Sequence, residues 1–159
     1  MHPDWSQDRR WFSHKFNKAG INYELGISIP HSRLVWMNGP FRAGKSDASI
    51  FRDKGLRDKL RSINKKAIGD RGYNGFPKEC STYNAHDCRG VRKFKSRALK
   101  RHENFNGMTK RFRCLSGRFR HGADQFGTCF EAICVICQYQ IEDDMPLYDV
   151  LIEDIMEEN

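Results

Sequence analysis

Acid is all but missing between Arg89 and Arg120, where twelve Lys or Arg accompany a single glutamate, Glu103. Base is missing altogether from residues 142–159, which hold eight Asp or Glu. The chain also lacks any apolar run long enough to span a bilayer, and its first residues lack the apolar centre of a secretion leader. A membrane protein is therefore not expected. Cysteine is sparse, six in 159 residues, too few for a disulfide-held scaffold of this length, so reduced thiols in nucleus or cytoplasm are expected. There is no internal repeat, and the only compositional boundary is the start of the acidic tail.

What is present is charge of one sign with an ordinary apolar content. The chain is 38% hydrophobic and 12% aromatic, enough for one domain with a real core and too much for wholesale disorder. Net charge is +8. With the acidic tail set aside, the body stands near +16. A field of that sign recruits polyanions and makes their binding salt-dependent.

The pattern predicts a mixed α/β fold. Residues 22–29 alternate, as do 32–38, and Pro30-His31 separates them, so an antiparallel hairpin is expected. Asp47 reads as the N-cap of a helix to Arg61 with Ile50, Phe51, Leu56 and Leu60 apolar. Lys66 to Asp70 reads as a short strand that lies parallel in the sheet, and Gly72 to Cys88 as loop. A helix is expected from Arg97 to Leu115, with Phe105, Met108, Phe112 and Leu115 as its apolar stripe and Glu103, Asn106 and Lys110 on the other side. Gly107 in its middle costs about 1 kcal/mol against Ala. Residues 126–141 read as a buried helix.

Five constellations come into question for chemistry. Asp70 ends a strand and Glu103 lies on a helix. Two carboxylates brought together from different elements suit Mg²⁺ or Mn²⁺, hard cations that take oxygen ligands. The spacing is equally met if Asp70 caps a turn and Glu103 pairs with Lys100 or Lys110 along the helix. Gly39-Pro-Phe-Arg-Ala-Gly-Lys45-Ser46 fits the phosphate-binding pattern GxxxxGK[ST] letter for letter. Pro40, however, removes an N–H from a loop whose task is to offer them, and the strand before it belongs to a hairpin. Cys134-x-x-Cys137 sits in the most apolar helix and reads as core. Cys80, His86, Cys88 and His102 match no standard zinc spacing. Lys100, Arg101, Lys110, Arg111, Arg113, Arg118 and Arg120 are the residues expected to hold a DNA backbone without reading its sequence.

Trp11-Phe-Ser-His-Lys15-Phe, Tyr23-Glu-Leu-Gly-Ile27, Val35-Trp-Met-Asn-Gly-Pro-Phe41, Gly69-Asp70-Arg-Gly-Tyr73, Arg101-His-Glu103-x-x-Asn106, Phe119-Arg-His121 and Pro146-Leu147 resemble, in order and spacing, the DDE-superfamily endonuclease domain of transposases, of PIF/Harbinger-like and related insertion-element type. The resemblance covers about residues 11–148. It implies an RNase H-like sheet flanked by helices in a domain over residues 1–148, followed by an acidic tail over 149–159. It implies DNA strand cleavage and transfer with Mg²⁺ or Mn²⁺. Asp70 and Glu103 match catalytic acids, Lys110 the basic residue seven positions beyond the glutamate, and Asp47 an acid of less defined role that joins the metal set. The family's first catalytic aspartate lies on a first strand well before the Trp11 segment, and Asp4 and Asp8 lie in no strand-like context. The first strand is therefore expected to be missing and the domain N-terminally truncated, with weak activity or none. The resemblance further implies DNA as partner (transposon ends or target), room for an accessory DNA-binding protein and for a homo-oligomer, and a nuclear location in a eukaryote or a cytoplasmic one otherwise. The alternative is a non-catalytic, domesticated DNA-binding module.

Overall fold

The computed structural model describes residues 9–13, 17–117, 119 and 121–152; Asp4, Asp8 and the end of the acidic tail lie outside the described residues. Strands β1 (Phe12–Ser13) and β2 (Lys18–Ala19) form a small antiparallel pair. β3 (Ile21–Ile27) and β4 (Leu34–Arg42) form the antiparallel hairpin that the alternation predicts. Tyr23, Leu25, Ile27, Leu34 and Met37 pack against the main core. Glu24 and Trp36 meet each other instead, the Trp36 indole N–H donating to the Glu24 carboxylate at 2.9 Å.

The helix expected from Asp47 to Arg61 is two helices. α1 (Asp47–Asp53) is capped by Ser46, whose hydroxyl accepts the Ser49 N–H, so Asp47 is the first helical residue rather than the cap. Gly55 then turns the chain at φ +101°, and α2 (Leu56–Ser62) starts there. That left-handed φ suits glycine and breaks the helix. Phe51 and Leu60 from the two helices close over Cys80, with Tyr73 and Phe76 against them.

β5 (Ala67–Ile68) is shorter than expected and pairs in parallel with β6 (Cys80–Ser81), a strand inside the segment read as loop. Gly69 follows β5, and a Cβ there would stand 2.8 Å from the Cys80 sulfur and 2.9 Å from Tyr73, so the strand end is closely packed. Among the described residues no strand joins β3–β4 to β5–β6. The mixed α/β class holds, but among the described residues the single sheet appears as three separate two-stranded pieces, two antiparallel and one parallel.

α3 (Arg89–Lys110) starts eight residues before its expected start and stops before Phe112. α4 (Arg113–Ser116) is one turn, and α5 (Ala123–Asp143) is the last helix described. The core lies between α3 and α5. Phe105 and Met108 meet Phe130, Ile133, Cys134 and Cys137, which recur at three and four along α5, and Leu147 closes the end. Phe105 is wholly buried, and cutting such a side chain to Ala costs about 3–5 kcal/mol. The expectation that α5 is buried nearly all round is corrected: Val135, Ile136 and Tyr139 are exposed, the last at 69%.

Two competing readings of the sequence find no support. The phosphate-loop string is half strand, since Phe41 and Arg42 pair with Asn22 and Ile21, and a Cβ at Gly44 would lie 2.7 Å from the Arg10 carbonyl. Of the zinc candidates, Cys80 is buried and Cys88 exposed.

Candidate nucleic-acid interface and its carboxylates

α3 has one solvent face. Arg89, Arg92, Lys93, Ser96, Lys100, Glu103, Gly107 and Lys110 are all exposed, mostly at intervals of three and four, which place them along one side of a helix. Glu103 is the only acid on it. The opposite side carries Phe105 and Met108 into the core, so packing fixes which side remains outside. Arg92 and Lys93 belong to the basic run read in the sequence, and the structure adds Arg89, because the start of α3 is weakly marked. Its cap is Cys88, with no side-chain hydrogen bond, and Gly90 and Val91 are poor helix formers.

Glu103 lines a shallow cleft of about 280 Å³ with Tyr83, Lys95, Ser96, Leu99 and Lys100. The Lys100 ammonium stands 5.5 Å from the Tyr148 ring centre, and the Arg71 guanidinium lies 5.2 Å over Tyr83. Lys95 is buried and internal. It donates to the Thr82 carbonyl at 2.8 Å and to Asp87 at 2.7 Å, which ties the loop before α3 to the helix. That ammonium holds the Asp87 carboxyl below its ordinary range.

Lys100, Lys110, Arg111 and Arg113 are exposed as expected. Arg118 and Arg120 lie outside the described residues. Arg101 is corrected: it is 3% exposed. Its guanidinium donates to the Tyr148 carbonyl at 2.7 Å and to the carbonyls of Ser28 and Ile29, with Asp149 at 3.7 Å. It fastens the β3–β4 turn and the C-terminal segment to α3 and cannot reach DNA. The sequence gives no sign of this, because a helix with many arginines does not show which one falls on the inner face.

The acids come from different elements. Asp70 is exposed, and its Oδ1 accepts the Gly72 N–H at 2.8 Å, capping the one-turn helix Arg71–Tyr73. The Tyr73 phenol is pushed up, first by burial and then by the negative charges of Asp47, Glu24 and Asp70 around it. Glu24 itself is raised by burial, opposed by the Trp36 N–H and reinforced by Asp47. Its second oxygen is buried with no hydrogen-bond partner. Glu103 lies on α3, which packs against β5, the strand that leads to Asp70, and Arg71 beside Asp70 covers Tyr83 of the Glu103 cleft. Glu24 and Tyr73 escaped the sequence reading, although a lone carboxylate in a strand otherwise rich in apolar residues is the signal that marks Glu24.

Among the described residues no three His, Cys, Asp or Glu side chains stand close enough to share an ion. One oxygen of Asp70 is already bonded to its own turn. Among the described residues Asp47, Asp70 and Glu103 do not form a three-carboxylate cluster.

A mixed α/β protein with an electropositive helix face and isolated carboxylates is the class these features define. The chain belongs to the DDE superfamily endonucleases, whose family model matches residues 2–138. No curated protein and no solved structure matches it significantly.

Proposed function

We propose that this chain is a transposase-type DNA strand-cleavage domain that meets DNA on the solvent face of α3. The observation that carries the reading is that face: Arg89, Arg92, Lys93, Lys100 and Lys110 with Glu103 as the one acid among them. Lys100, Lys110, Arg111 and Arg113 would hold phosphates, as point charges and forked donors, and fix the position of the duplex. Glu103 is the carboxylate nearest that backbone, Asp70 the second acid of the reaction, and Asp47 a third. Family membership supports Mg²⁺ or Mn²⁺ as the cofactor. The same membership supports DNA as the substrate, and the protein would then act in the nucleus of a eukaryote or the cytoplasm of a bacterium.

The test is nicking of supercoiled plasmid in Mn²⁺ by the wild type, Glu103→Gln and Asp70→Asn. Slow nicking that falls at least about a hundredfold in each variant supports the assignment. Nicking that survives both substitutions shows that other residues do the chemistry.

A second reading is favoured by the lack, among the described residues, of a cluster of three metal-ligating side chains: a module that binds DNA without cutting it. It gives salt-sensitive DNA binding that Asp70→Asn leaves unchanged, and no nicking in any divalent cation.

A further inference from the structure

Gly107 lies inside α3, on the same exposed face as Glu103 and Lys110. A helix-interior glycine is less favourable than alanine because it loses more backbone freedom on folding. Some glycines of this chain repay that loss locally: Gly39, Gly44 and Gly69 leave no room for a Cβ. Gly107 has no such reason. An added Cβ would meet nothing within 4 Å, and its φ is not in the left-handed region that favours glycine. The described residues give no steric cause for a bare backbone at this position. It stands one turn beyond Glu103 and one turn before Lys110, so a molecule seated there is flanked by a carboxylate on one side and an ammonium on the other.

We propose that Gly107 is where the DNA sugar-phosphate backbone rests directly against α3, between Glu103 and Lys110, and that the missing side chain sets how closely the strand approaches. This rests on the reading of α3 as the DNA face and narrows it to one point of contact. Lys110 supplies the charge for the phosphate, and Gly107 supplies the clearance. A side chain at position 107 would lift the strand off the helix and lengthen both neighbouring contacts.

The experiment compares wild type, Gly107→Ala and Gly107→Leu by thermal melting and by fluorescence anisotropy on a labelled 30-base-pair duplex. Alanine improves helix propensity over glycine, and leucine does so by nearly as much; the expected result is melting at or above the wild-type temperature for both. DNA affinity is expected to fall in the order wild type, Ala, Leu, by about tenfold for Leu, or about 1.4 kcal/mol. Gain of stability with loss of binding is a signature that a purely structural glycine does not give. If both variants bind as tightly as the wild type, the contact point is wrong while the DNA face stands. If the wild type does not bind the duplex, the DNA face falls and this proposal with it. Should leucine lower the melting temperature, the alanine variant decides.

Discussion

Glu24 shows what burial does to a single charge. Its carboxyl is 7% exposed, one oxygen takes the Trp36 N–H and the other has no partner. Burial and Asp47 raise its pKa in the folded state, so folding favours the protonated acid. The resulting stability is full below the unfolded value, about 4.3, and is lost as pH rises through the higher folded value. Glu24→Gln keeps an acceptor for Trp36 and removes the charge. The variant is expected to match or slightly trail the wild type near pH 4 and to exceed it by about 1 kcal/mol or more at pH 8, read by urea unfolding at both pH values. A gap that does not grow with pH contradicts this. Arg101 is the converse case. Its buried guanidinium ties down three carbonyls, and Arg101→Ala is expected to cost about 3 kcal/mol. Arg101→Lys should recover only part of that, because an ammonium cannot reproduce the fork. Where the variant is folded, its DNA affinity should depend on salt as the wild type's does.

At the scale of elements, legibility followed periodicity. The β3–β4 hairpin and the α3–α5 core were readable because Tyr23, Leu25 and Ile27 alternate and Phe130, Ile133, Cys134 and Cys137 recur at helical spacing. The break at Gly55 was not, since a left-handed residue is a property of one glycine and leaves no period. β6 was hidden because two residues, Cys80 and Ser81, are too few to alternate. The exposed stripe of α5 was hidden because Val135, Ile136 and Tyr139 are as apolar as the buried face. The short helix α4 brings Cys114 to within 3.7 Å, sulfur to sulfur, of Cys129 on α5, and both are free thiols. Diamide treatment is expected to join them, seen as a loss of two mass units and as a tryptic cross-link lost in Cys114→Ser. Two intact thiols after treatment would show that the packing of α4 on α5 forbids the shorter bond.

For the molecule as a whole, the candidate site was half legible. Residue type and isolation pointed to Asp70 and Glu103, and the family match supports the endonuclease class. Their relative placement was not legible, because it depends on how β5 and α3 pack; the described fold sets Asp70 on its own turn beside Tyr73 and Glu103 in the cleft that Tyr83 also lines. The charge distribution was plain from the sequence, yet which basic residues face outward required the core to be known: Lys95 and Arg101 are internal and Lys100 and Lys110 are not. The account therefore turns on the outer face of α3. Its most direct test is duplex DNA binding by anisotropy across a salt series, for the wild type and the double variant Lys100→Ala/Lys110→Ala. Loss of two phosphate contacts is expected to make the slope of log affinity against log salt shallower by about two, with weaker binding at every salt concentration. An unchanged slope and affinity would mean that DNA, if bound at all, lies elsewhere on the protein.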